Sequence, residues 1–391
     1  MATLEVIPGD PFYPTFAAAW ALANNNDFIL GNAVGAATTY YDEVLTNLTG
    51  KTGVTIGVHA GDEGLIVVRP VTNQTYIWRI DTDNITIQDI YFHHGWRSIA
   101  RLIEAYNGDN ALIRRCDFRV TAVSDMCIES NAYDVTGWVI EDCDFFGGSS
   151  GVSNYGHGIK CDHLTAVEIS RCTFYSLQQG VGYAYSAIID RCWFDGRATS
   201  TNSYGVYRLR DSAVLTNSII FDTMYAVHCD AVCTTGGVFN NVMYNCDRAI
   251  TTGAGSYPFA LDNNAMVNCN VALFGNASWG PAPDCNLFYN NGTDVISYTA
   301  PVHSQTTDPL FTDGPGHDFT WVAGGGSPLE DNGKPLPGVV NFDFIGTARP
   351  QGAGWDIGPY EIVASGWGHT FLGGPVSSVL GVTNPSSVMG V

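Results

Sequence analysis

A short phrase recurs nine times along this chain and restricts the fold more than any other feature. Its copies are ITIQDIYF (85–92), ALIRRCDF (111–118), WVIEDCDF (138–145), VEISRCTF (167–174), AIIDRCWF (187–194), AVLTNSII (213–220), GVFNNVMY (237–244), ALDNNAM (260–266) and APDCNL (282–287). The interval between copies, about 20–29 residues, suits one coil of a three-sided solenoid, in which each coil contacts only its neighbours. The pattern predicts an all-β, right-handed parallel β-helix.

The phrase has a physical reading. Ile140 points inward on one strand, and Glu141 and Asp142 then break the apolar alternation. Cys143 and Phe145 resume it on the next strand, which places a one-residue bend at Asp142. The bend column reads Asp89, Arg115, Asp142, Arg171, Arg191, Asn217, Asn241, Asn263 and Asp284. Asn and Asp are the side chains that best tolerate a left-handed backbone. The next column stacks Cys116, Cys143, Cys172 and Cys192, continued by Ser218, Val242, Asn264 and Cys285. Two places on, Phe118, Phe145, Phe174 and Phe194 form a second inward ladder, continued by Ile220, Tyr244, Met266 and Leu287. Identical side chains in register pack as internal stacks. The cysteines read as buried free thiols in preference to disulfides, and their spacing is not that of a C-x2-C zinc site. A further strand follows each phrase, as in GIKCD (158–162), GVGYA (180–184), GVYRL (205–209) and AVHCD (226–230). GGSSGVSNYGH (147–157) and DGRATSTNSYG (195–205) read as protruding loops.

Of the 391 residues, 45% are apolar and only 14% are charged. A large core can be buried, and the polar surface falls to Asn, Ser and Thr, which suits stacked strands better than helices. The formal net charge of -21 repels nucleic acid. No 18-residue apolar run is present, so no membrane span is expected. The opening MATLEVIPGDPFYP has no basic segment leading into an apolar one, so no signal peptide is visible. A virion released by lysis and an extracellular surface are the settings that fit.

Four segments are expected. PTFAAAWALAN (14–24) has the only amphipathic helical pattern and sits in an N-terminal cap, 1–39. The β-helix occupies 40–310, a closing segment 311–363, and a Gly/Val-rich tail 364–391. The tail repeats PVSSVLGV and NPSSVMGV, so Val376, Val379, Val382, Val388 and Val391 would pair with this chain or with neighbouring structural subunits. DPLFTD (308–313), SPLEDNG (327–333) and DFIGTARPQGAGWDIGPYE (343–361) carry a resemblance. They are similar to the terminal block of a large right-handed β-helix repeat family that closes with a D-I-G-A-Y-E phrase, here with Pro359 in place of Ala. The tail resembles those of phage and environmental surface proteins. The resemblance implies architecture; such families include adhesins, virion proteins and polysaccharide-degrading enzymes.

Chemistry on a β-helix needs a groove on one strand face. Hydrolysis needs two carboxylates about 5–10 Å apart, and lyase chemistry needs a base with charge stabilisation. If Ile159 and Cys161 point in, Lys160 and Asp162 point out; if Val227 and Cys229 point in, His228 and Asp230 point out. GVYRL fits either phase. The catalytic candidates are Asp162, Asp230, Glu129 and Asp125. The sugar-binding candidates are Lys160, Tyr207, His228 and Tyr185, with Trp96, Tyr155, Tyr204 and Trp279 as further aromatics. A solvated strand face outweighs both readings. No metal ligand set is assigned. IDTDN (80–84) offers carboxylates to Ca2+, although a turn explains it better. Neither the clustered Asp motifs of polygalacturonases nor the R-x-P-x-x-R phrase of pectate lyases is found. The expected function is a non-catalytic structural or adhesive β-helix, virion-associated and in contact with surface glycans. The alternative is a polysaccharide-degrading enzyme: a tailspike-like depolymerase, a lyase or a glycoside hydrolase.

Overall fold

The structure is a computed structural model. It describes residues 1–362 apart from 9, 13, 34–38, 44, 45, 65, 71, 72, 95–98, 122–124, 131–133, 149–155, 197–202, 234, 254–259 and 276–280. Three 11-stranded parallel sheets run its length. The first extends from Thr3–Val6 to Ala260–Asp262, the second from Thr39–Glu43 to Leu287–Tyr289, and the third from Thr46–Thr49 to Thr293–Ile296. One coil supplies one strand to each, as Val139–Glu141, Asp144–Phe146 and His157–Lys160 do. The chain is an all-β parallel β-helix. Thr3–Val6 and Phe28–Gly31 already pair within the first sheet, so the solenoid begins before the cap boundary expected at residue 39.

The alternation of the phrase builds the core. Ile87, Ile113, Ile140, Ile169 and Ile189 fill the tube from the first sheet. From the second sheet, Phe92, Phe118, Phe145, Phe174 and Phe194 stack with near-parallel rings at 5.1, 5.0, 4.8 and 4.7 Å. These spacings follow from the inter-strand distance of about 4.8 Å. The stack ends edge-on against Trp78. Phe16 then packs on Trp78, which ties the short helix Phe16–Leu22 to the core. Thr15 caps that helix by accepting a hydrogen bond from the Ala18 amide at 3.1 Å.

The bends between the first and second sheets are left-handed at Asp89, Arg115, Asp142, Arg171, Arg191, Asn217, Asn240, Asn263 and Cys285. Two copies of the phrase therefore sit one residue away from their expected register. Asn240, not Asn241, is the bend in 237–244, and Cys285, not Asp284, is the bend in 282–287. The inward column accordingly runs Cys116, Cys143, Cys172, Cys192, Ser218, Asn241, Asn264 and Asn286, without Val242 or Cys285. Met243 and Phe288 replace Tyr244 and Leu287 in the aromatic column. The physical reason is the hydrogen bonding of the column. Asn264 Nδ2 donates to the carbonyls of Val238 and Asp262, and its Oδ1 accepts from the Asn241 amide. Cys143 Sγ donates to the equivalent carbonyls, Ile113 and Glu141. An inward amide satisfies the backbone where an inward Val could not. Cys116, Cys143, Cys172 and Cys192 are free thiols.

The closing segment folds back over the last coils. Phe319, Trp321, Leu329, Ile357 and Tyr360 cover Trp193, Ile219, Phe221, Val242 and Leu287 on the outside of the second sheet. Leu336, Val340 and Trp355 cover Phe239 on the first sheet. The N-terminal coils of the second sheet and the whole third sheet are outside these two clusters. Val376, Val379, Val382, Val388 and Val391 of the tail lie outside the described residues.

Candidate functional site

The outer face of the third sheet carries two columns. One holds Tyr76, Arg101, Met126, His157, Gln179, Tyr204, Tyr225 and Arg248; the other holds Arg79, Glu104, Glu129, Lys160, Gly182, Tyr207, His228 and Thr251. Parallel pairing sets each residue about 4.8 Å from its successor.

Its N-terminal half is a chain of alternating charge. Arg79 Nε contacts Glu104 Oε2 at 2.5 Å, and Arg101 bonds both Glu104 and Glu129. Lys160 Nζ closes the chain on Glu129 Oε1 at 2.6 Å. Glu104 and Glu129 are buried, so each carboxylate is enclosed by cations. Glu129, one of the catalytic candidates, is thus held between Arg101 and Lys160. Asp162 lies 3.9 Å from Lys160. Asp125 does not join this face. It is buried before the strand and holds His94 Nε2 at 2.9 Å. The Asp230 side chain, Trp96, Tyr155 and Trp279 fall outside the described residues.

The C-terminal half is aromatic and cationic. Tyr204 and Tyr225 stack at 4.8 Å and 14°. Tyr207 lies 4.7 Å from Tyr204 and 5.3 Å from His228. Lys160 stands over Tyr183 at 5.4 Å, Arg208 over Tyr183 and Tyr207, Arg210 over Tyr185 at 4.1 Å, and Arg248 over Tyr225 at 5.5 Å. The ambiguity of GVYRL is resolved by an irregularity in strand pairing: Val206 and Leu209 both point in, and Arg208 is left-handed. Tyr207 and Arg208 are thereby presented together. His157 Nδ1 and Thr251 Oγ1 are buried with no hydrogen-bond partner among the described residues. Burial first, and then Lys160, lower the His157 pKa. Arg79, Arg101, Lys160, Arg208, Arg210 and Arg248 are six of the 17 Lys and Arg residues in a chain of net charge -21.

A second constellation escaped the sequence reading. A cleft of about 470 Å³ opens beside the second sheet, lined by Glu63, Tyr91, Asp117, Asp144, Arg115 and Arg171 among others. Asp117 and Asp144 are partners on adjacent strands. Burial pushes Asp117 up to about 6; burial and then the Asp117 charge push Asp144 up to about 7. Phe146, two residues beyond Asp144, stacks at 5.2 Å on Tyr175 of the next strand in the sheet. The only advance signal was an outward Asp at the same place in two successive copies of the phrase, CDF and CDF. IDTDN is a corner: Asp83 Oδ1 accepts the Asp109 amide at 2.9 Å, and Asp109 Oδ1 accepts the Thr136 amide at 2.8 Å.

No family model matches the sequence, and no curated protein matches it. Solved structures do. A mannuronic acid-specific polysaccharide family 6 lyase from human gut microbiota aligns with a TM-score of 0.53 at 10% identity, over 78% of this chain and 79% of that one. A mutant tailspike protein of E. coli bacteriophage HK620, in complex with a pentasaccharide, aligns with a TM-score of 0.51 at 12% identity, over 73% of this chain. The match spans 58% of the tailspike chain, less than two thirds of its length. An alginate lyase from Paenibacillus sp. aligns with a TM-score of 0.50 at 11% identity, over 78% of this chain and 99% of that one. At these identities the likeness is one of fold: a parallel β-helix shared by tailspikes and polysaccharide lyases.

Proposed function

We propose that the protein is a non-catalytic, glycan-binding β-helix that holds an acidic oligosaccharide along the outer face of the third sheet. The observation that carries this is the Tyr204–Tyr225 stack, with Arg248 over Tyr225, Tyr207 beside Tyr204, and Arg208 over Tyr207. Aromatic faces take the apolar faces of sugar rings, and guanidinium groups take carboxylates bidentately. The paired state of Glu104 and Glu129 favours binding over hydrolysis on this face. A virion or other extracellular surface is the setting we propose, because the oligosaccharide-bound neighbour is a phage tailspike. Assembly through the 364–391 tail belongs to the same proposal. The test is a calorimetric titration with alginate, polygalacturonate and dextran. Binding of an acidic polymer, lost in Tyr204→Ala/Tyr225→Ala, is expected; no binding to either acidic polymer would overturn the reading.

Polysaccharide cleavage is the second reading, and the Asp117–Asp144 pair favours it. Adjacent strands bring Asp117 and Asp144 side by side in one cleft, the kind of paired carboxyl groups that glycoside hydrolysis uses. Asp144 would donate the proton and Asp117 would serve as the carboxylate. New reducing ends released from the same polymers, absent with Asp144→Asn, would establish this reading in place of the first.

A further inference from the structure

We propose that Asp284, Cys285 and His303 form a binding site for a divalent transition ion of the zinc class, closing the last coil of the solenoid. One donor atom from each lies within 4.8 Å of the other two. His303 Nδ1 is 2.8 Å from Asp284 Oδ1, and Cys285 Sγ is 3.5 Å from the same oxygen. Zinc bonds of about 2.0–2.3 Å in a tetrahedron require donor separations of about 3.3–3.8 Å, so small adjustments seat an ion between the three. Thiolate, imidazole and carboxylate together select zinc or cobalt over the hard cations magnesium and calcium.

The surrounding structure prepares this set. Cys285 occupies the left-handed bend position, which turns its side chain away from the inward column that Asn286 fills. It is the one cysteine of intermediate exposure among those whose burial is described; the other nine are buried. His303 comes from the partial turn that follows, where Val302 pairs with Asp284 and Gln305 with Leu287 in parallel bridges. An ion would therefore join the last complete coil to the partial coil that ends the stack. The second carboxylate oxygen, Asp284 Oδ2, lies 3.4 Å from Lys334 Nζ, which also holds Asp262 at 3.0 Å. This leaves Oδ1 turned toward Cys285 and His303, and outer contacts of this kind orient metal ligands. Binding would displace the Cys285 thiol proton to solvent, and the fourth position would be taken by water.

The test uses the full chain, dialysed against chelator and titrated with Co2+ and then Zn2+. One equivalent of Co2+ is expected to produce a thiolate-to-cobalt charge-transfer band together with tetrahedral ligand-field absorption, both removed by Zn2+. Cys285→Ser should abolish the charge-transfer band, and His303→Ala should weaken binding at least about tenfold. Circular dichroism confirms that each variant remains a β-helix. Absence of the band in wild type, or its persistence in Cys285→Ser, would overturn the proposal. Binding without thiolate character would overturn it equally, as an adventitious ion only.

Discussion

Arg349 and Glu361 form an ion pair at 2.8 Å in which both side chains are 0% exposed. The pair lies within the closing segment and holds Arg349 where it meets the solenoid. Arg349 Nη2 also donates to Asn217 Oδ1 and to the Gly358 carbonyl. Asn240 Nδ2 donates to the Asp356 and Gly358 carbonyls, and the Gly358 amide donates to the Asn263 carbonyl. The closing phrase thus reads the left-handed Asn bends directly.

Removing one partner of such a pair leaves a buried charge without compensation. Glu361→Ala is expected to cost about 3–5 kcal/mol in urea unfolding. Arg349→Met with Glu361→Leu should recover most of that loss. Near-wild-type stability of the single variant would show that the closing segment is not docked as described.

The inward ladder predicts unequal costs for similar changes. Asn264→Leu leaves the Val238 carbonyl and the Asn241 amide unsatisfied inside the tube. We expect a loss of about 2–3 kcal/mol or more. Cys143→Ser keeps a donor toward the Ile113 and Glu141 carbonyls and should cost about 1 kcal/mol or less. Thermal unfolding of both variants gives the comparison.

The raised Asp144 predicts a pH dependence with a definite sign. Between the unfolded value of about 3.9 and the folded value of about 7, the folded state holds a proton that the unfolded state has lost. Stability from this group is therefore present below about pH 4 and declines as pH rises toward 7. Asp144→Asn should match wild type near pH 4 and exceed it by roughly 1–3 kcal/mol near pH 8. A constant difference across that range would contradict the assignment.

Assembly is separable from folding in this account. Truncation after residue 362 should leave the melting temperature unchanged and reduce the particle mass seen by mass photometry. Unchanged mass would remove the tail from assembly.

The coil was legible in the sequence because its apolar columns repeat at fixed intervals, and Phe118, Phe145, Phe174 and Phe194 announce themselves. The slips at 237–244 and 282–287 arose where two adjacent polar residues could each be the bend. Backbone hydrogen bonding to Asn241 and Asn286 decides between them, and no apolar pattern reports it. Lys160 and His228 were placed on the outer face by alternation alone, whereas GVYRL left Tyr207 open to either phase. Their ion-pair and aromatic partners were not placed, because strand register brings together residues some 20–30 positions apart. The Asp117–Asp144 pair was hidden for a related reason: its character comes from burial beside a cleft, which one phrase cannot show.

The central claim concerns the third sheet, and affinity for acidic oligosaccharides measured against salt tests it most directly. The account predicts binding that weakens as salt rises and falls at least about tenfold in Tyr204→Ala and in Arg248→Ala, with the fold intact. Binding that is undiminished in both variants would contradict it.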